Sequence, residues 1–103
     1  MAPGSPVPDA VAAELRRVAE RWQQLPLGHA LSLAPAMRGL AQDLADEVAA
    51  TEHRAVVPLP DLGPATAYDQ LVVTSYDACA AGLAPDLPVR LRQLRATLAR
   101  PPG

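Results

Sequence analysis

Apolar residues return along this chain at intervals of three and four, the spacing that keeps side chains on one face of an α-helix. Val11, Leu15, Val18, Trp22 and Leu25 form one such series. Leu33, Met37, Leu40, Leu44 and Val48 form a second, and Leu87, Leu91, Leu94 and Leu98 repeat the pattern near the end. The segment AVVPLPDLGP, residues 55–64, interrupts it with three prolines and a glycine. Proline lacks the amide a helix needs and pushes its predecessor into extended backbone, so this stretch is an extended crossover. The pattern predicts an all-α fold: a small four-helix bundle with a Pro-rich crossover between helices two and three.

The first helix is expected from about Ala10 to Leu25, with Asp9 as N-cap after Pro8, and Pro26 and Gly28 as its stop. Glu14, Arg16, Arg17, Glu20 and Arg21 fall on its outer face, Glu14 and Arg17 spaced to pair. The second is expected to begin near Ser32, with Pro35 in its first turn, and to reach about His53. Gln42, Asp46 and Ala49 lie away from its leucines. In the crossover, Val56, Val57, Leu59 and Leu62 are apolar, so the strap is expected to lie against the bundle. The third helix is placed at about Ala67 to Ala81, opened by a Thr66–Asp69 capping box and ended by Gly82 and Pro85. Tyr68, Leu71, Val72, Ser75, Cys79 and Gly82 form its inward face, and the β-branched run Val72-Val73-Thr74 is its weakest stretch. Asp86 caps the fourth helix. Residues 9–100 read as a single helical domain, with 1–8 a disordered tail and 101–103 a C-terminal tail.

Composition narrows the possibilities. A formal net charge of −2 and a pI near 5.5 disfavour a general nucleic-acid binder, which needs a basic field. Lysine, isoleucine, asparagine and phenylalanine are absent; these are residues with AT-rich codons, which points to a GC-rich bacterial genome. The single cysteine, Cys79, has no intramolecular partner, so a reduced thiol and a cytoplasmic protein are expected. MAPGSPVPDA has neither the basic region nor the apolar run of a secretory signal, and no transmembrane segment is expected. A core of this size is modest, which leaves room for self-association.

Candidate chemistry is sparse. His29, His53 and Cys79 are the conventional base, nucleophile or soft-metal candidates. Bundle metal sites use ligands such as Glu-x-x-His, which share a face. Here Glu52 and His53 are adjacent and point about 100° apart on a helix. No catalytic, cofactor or metal residues are therefore assigned. Asp43 and Glu47, four apart, could hold a cation but fit better as a polar rim meeting an arginine of the next helix. Tyr68-Asp69 and Tyr76-Asp77 repeat a dipeptide, and Asp69, Val73, Tyr76 and Asp77 together make a candidate partner-contact surface. Arg90, Arg92 and Arg95, with Arg100 beyond, give the fourth helix an arginine-rich face.

The stretch LPDLGPATAYDQLVVTSYDACAAG resembles an element of small, uncharacterised alanine- and arginine-rich helical proteins of actinobacteria. The resemblance rests on Pro60, Leu62, Gly63, Asp69, Gln70, Leu71, Val73, Thr74 and Asp77. It implies a Leu-Gly strap leading into a helix that opens with Asp-Gln-Leu, and a polar contact from Asp69 or Gln70 to the strap. It implies no activity. The marks of secreted helical-hairpin proteins of this length are missing: Trp22 is followed by Gln23 and Gln24, without their Trp-x-Gly turn.

The expected function is a non-enzymatic module that binds another protein or a second copy of itself. The alternatives are a small metal-binding or enzymatic bundle using Asp43, Glu47 and a histidine, or a regulator touching DNA or anionic lipid through helix four.

Overall fold

The computed structural model describes residues 7–83 and 85–101. Residues 1–6 of the expected N-terminal tail, Ala84, and residues 102–103 of the expected C-terminal tail lie outside the described residues. Among the described residues four helices follow one another: α1 (Asp9–Gln24), α2 (Leu27–Thr51), α3 (Pro64–Ala80) and α4 (Leu87–Leu98). The β-branched run Val72-Val73-Thr74 is helical.

Contacts along the helices fix their directions. Arg92 and Arg95 reach Glu14 while Arg21 reaches the Ala99 carbonyl, so α1 and α4 run parallel. Tyr68 donates to the Leu15 carbonyl, and Pro64 shares a surface hollow with Trp22, so α3 runs antiparallel to α1. Arg90 meets Glu47 whereas Thr97 shares a groove with Ala36, so α4 is antiparallel to α2. It follows that α2 and α3 are parallel, and the bundle is up-down-down-up. The closest pairs are α2 with α3 and α1 with α4.

Two parallel neighbours cannot be joined by a short turn. From Thr51 back to the level of Ala30 is about 31 Å at 1.5 Å per residue. Glu52 and His53 close the end of α2, so residues 54–63, extended at roughly 3.1–3.3 Å each, reach about 31–33 Å. The crossover therefore has little slack, and Pro58 and Pro60 hold it straight.

The interior is built from Val11, Leu15 and Val18 of α1, Met37, Ala41, Leu44 and Val48 of α2, Ala67, Leu71 and Ala78 of α3, and Leu87, Leu91, Leu94 and Leu98 of α4. Val7, ahead of α1, is also buried in this core, so the packed part begins before the expected residue 9. On α2 the buried stripe is Ala30, Ala34, Met37, Ala41, Leu44 and Val48, with Leu33 and Leu40 only flanking it. Small side chains on that stripe let α3 come close.

Several local expectations need correction. Pro8, not Asp9, is the N-cap of α1; Asp9 is the first helical residue and favours the positive end of the dipole without a cap bond. Pro26 is the N-cap of α2, and Gly28 lies inside that helix instead of ending α1. Helix α2 begins at Leu27, five residues before Ser32, which leaves Pro35 in its interior. It ends at Thr51, and His53 adopts the left-handed conformation with φ 55°. The His53 amide bonds to Ala50 O and that of Arg54 to Ala49 O, the paired closure that usually employs glycine. Gly82 ends α3 in the same way at φ 77°, with Leu83 N on Ala78 O. No Thr66–Asp69 box forms, because α3 starts earlier, at Pro64; the Thr66 hydroxyl instead donates to Gly63 O. Asp86 stands at the N-cap of α4 without a side-chain bond. Ala67, Leu71, Thr74, Ser75 and Ala78 are the buried residues of α3, whereas Gly82 is exposed. Ala49 of α2 is buried, not outward-facing.

Candidate functional site

The crossover is held by side-chain amides because its prolines cannot join a backbone ladder. Gln42 of α2 donates from Nε2 to Val57 O at 3.1 Å and accepts from Leu59 N at 2.7 Å. That is the two-way contact a neighbouring strand would make, supplied by one side chain. Gln70 of α3 donates to Pro60 O at 2.8 Å, so the polar contact expected from Asp69 or Gln70 comes from Gln70. Asp61 accepts from Gly63 N and pairs with Arg38 at 3.3 Å. Of the crossover's four large aliphatic residues, only Leu59 packs against the core. The strap lies against α2 and α3 as expected, but Val56, Val57 and Leu62 are 58%, 67% and 63% exposed, so most of its apolar side chains do not enter the core. Gln42 and Gln70 anchor the backbone at Val57, Leu59 and Pro60 while these side chains are left outside.

Between the crossover and α3 this arrangement opens a groove of about 320 Å³, lined by Leu59, Leu62, Thr66, Asp69, Gln70, Val73 and Thr74. Thr74 turns its hydroxyl back onto the Gln70 and Leu71 carbonyls, so its methyl is the part left to contribute apolar surface. Two of the residues singled out in the sequence, Asp69 and Val73, line the groove. Tyr76 and Asp77, the other two, are exposed on the same helix beyond it. Asp69 and Asp77 enter no ion pair among the described residues. Leu59, Leu62 and Thr66, read in the sequence as strap and cap residues, were not assigned to the contact surface, because their place in it depends on how the crossover returns along α2.

The remaining titratable candidates are accounted for otherwise. Glu47 accepts both terminal nitrogens of Arg90, at 3.1 and 2.8 Å, a bidentate pair joining α2 to α4. Asp43 lines the shallow groove beside that pair. His29 lies at the start of α2 and His53 past its end, about 36 Å apart at helical rise. Burial pushes the Cys79 thiol above its ordinary pKa, which suppresses the nucleophilic thiolate at neutral pH. Among the described residues no three His, Cys, Asp or Glu side chains gather where a metal could be held. Tyr68 is likewise shifted up, first by burial and then by Tyr76 and Asp69, and its phenol donates to Leu15 O at 3.1 Å. It stays a neutral donor tying α3 to α1.

Glu14, expected on the outer face of α1, is 6% exposed. Its carboxylate pairs with Arg17 at 2.7 Å, Arg95 at 3.6 Å and Arg92 at 3.8 Å. The expected Glu14–Arg17 pair is present, but as part of a cluster between α1 and α4.

Among the described residues no helix is long and apolar enough to cross a membrane. Comparison with protein-family models, with curated proteins and with solved structures gives no match.

Proposed function

We propose that this chain is a non-enzymatic cytoplasmic module that binds another polypeptide through the groove between the crossover and α3. The occupant is an apolar segment carrying a basic residue, and a second copy of the chain is one source of such a segment. The observation carrying this reading is the groove itself, whose apolar walls end at an acidic rim. Val73 is 59% exposed in the middle of α3, Tyr76 is 45% exposed, and the exposed Asp69 carboxylate enters no ion pair among the described residues. Exposed aliphatic side chains grouped in this way, beside an exposed tyrosine, are the usual make-up of a contact surface.

The test places a photo-crosslinking amino acid at Val73 and, as a control, at Gln23 on the exposed side of α1, in the native host. A discrete adduct from position 73 that is absent from position 23, and that Asp69→Arg abolishes, supports the proposal. An adduct of twice the chain mass identifies the second copy as occupant. No adduct from position 73, or the same adducts from both positions, overturns it.

A further inference from the structure

On the opposite side of the bundle, α1 and α4 enclose a groove of about 650 Å³. Arg17 and Arg21 stand on one wall and Arg92 and Arg95 on the other, with Glu20, Gln24, Ala96 and Ala99 completing the lining. Four guanidinium groups face two carboxylates there, Glu20 in the lining and Glu14 buried beneath, an excess of two positive charges in a chain of net charge −2. Among the described residues the other ion pairs are one to one: Arg38 with Asp61, Arg54 with Glu52, and Arg90 with Glu47.

Most of the donors in this groove are unspent. Each guanidinium carries five N–H groups and accepts nothing. Glu14 takes one short bond, from Arg17, while Arg92 and Arg95 remain at 3.8 and 3.6 Å from it, beyond hydrogen-bond reach. Among the described residues Arg21 makes one hydrogen bond, a long one of 3.5 Å to the Ala99 carbonyl, and its Nε is buried with no acceptor. The side chains of Arg17, Arg92 and Arg95 are partly exposed and keep free N–H groups that an anion seated in the groove would engage. The arginines lie one turn apart on each wall, which spreads the charge over about 5–6 Å along the groove. That shape suits an elongated anion better than a single phosphate.

We infer that the α1–α4 groove binds a small anion carrying two or more linked phosphate groups, through Arg17, Arg21, Arg92 and Arg95. Planar guanidinium forks match phosphate oxygens in pairs, and the missing aromatic platform leaves no feature for a nucleobase to stack on. This site is separate from the α3 groove and does not depend on the polypeptide-binding proposal.

The test is titration calorimetry with inorganic pyrophosphate at fixed ionic strength. Saturable one-to-one binding is expected, weakened about 10-fold or more by Arg21→Gln and by Arg92→Gln. Arg16→Gln, an exposed change on α1 outside the lining, should leave it unaltered. Circular dichroism melts verify that the variants are folded. Vesicles bearing a lipid diphosphate headgroup form a second arm: binding through the same arginines identifies a membrane source for the group, and binding of pyrophosphate alone identifies a soluble one. Absence of saturable heat with the wild-type chain overturns the inference. So does equal weakening by Arg16→Gln, or binding of an oligonucleotide without binding of pyrophosphate.

Discussion

Pro35 provides the sharpest test of how α2 is built. If the helix began near Ser32, this proline would sit in the first turn, where its missing amide costs nothing, and Pro35→Ala would be close to neutral. The structure starts the helix at Leu27, so the residue at 35 would otherwise donate to Leu31 O, and that bond is lost. An interior proline is about 3 kcal/mol less favourable than alanine. Part of this is already recovered, because Leu31 is 52% exposed and water can reach its surroundings. The proline also stiffens the unfolded chain, a benefit of about 0.4–1 kcal/mol that the substitution removes. The ring is exposed, so little packing is lost with it. The balance favours Pro35→Ala by about 2 kcal/mol, or roughly 8–16 °C in Tm for a domain of this size. Urea unfolding followed by helical circular dichroism, with an unchanged m-value, is the appropriate measurement. A neutral result would restore the later start of α2. A loss of stability would mean that a bend at Pro35 is needed to seat Ala34 and Met37, and the reasoning from helix propensity would fail.

Other substitutions probe single contacts. Ser75 is fully buried on α3 and its hydroxyl has no hydrogen-bond partner among the described residues, so Ser75→Ala should raise stability by about 1–2 kcal/mol in the same assay. Gln42→Ala removes the bonds to Val57 O and Leu59 N; at about 0.5–1.5 kcal/mol each, exchange of the Leu59 amide should accelerate roughly 5- to 150-fold by NMR with little change in the global melt. Tyr68 and Cys79 both lose their protons less readily when folded than when unfolded, so their contribution is intact below their ordinary pKa values and drains away as pH climbs through the raised ones. Stability should therefore fall in alkaline solution; Tyr68→Phe should cost about 1 kcal/mol at neutral pH but make that fall shallower, and an unchanged alkaline slope would refute the assignment.

Helices α1 and α4 were legible because leucine and valine carry their seams, and Val11, Leu15, Leu87, Leu91 and Leu98 are all buried as spaced. The true stripe of α2 was not, since half of it is alanine, and alanine serves equally well on either face. The start of α2 was misplaced by treating Pro35 as a first-turn residue when a proline N-cap at Pro26 was available. Burial of Glu14 could have been anticipated: it lies three residues after Val11 and four before Val18, on the edge of the seam. A charged residue there was assigned outward by its chemistry instead of its position. The groove was half visible, through Asp69 and Val73 on one helix face. Its other wall depends on contacts such as Gln42 with Leu59, which no local pattern announces. The arginine groove was likewise half visible: helix four advertises Arg92 and Arg95, but only the parallel pairing of α1 and α4 brings Arg17 and Arg21 opposite them.

The parallel pairing of α2 with α3 also explains why a bundle of ordinary amphipathic helices has an apolar surface to offer. A crossover that must run the length of α2 needs stiffness, and Pro58 and Pro60 supply it at the expense of two backbone donors. Gln42, Gln70 and Asp61 bond to Val57 O, Leu59 N, Pro60 O and Gly63 N, anchoring the chain without turning its side chains inward. Burying Val56, Val57 and Leu62 would yield about 1.5–3 kcal/mol each, and the fold forgoes it. The alanines of α2 let α3 pack closely against it, and of the strap only Leu59 joins the core. Those aliphatic groups can be removed from water only by something arriving from outside. The groove between Leu62 and Val73 is where such a contact covers crossover and helix together.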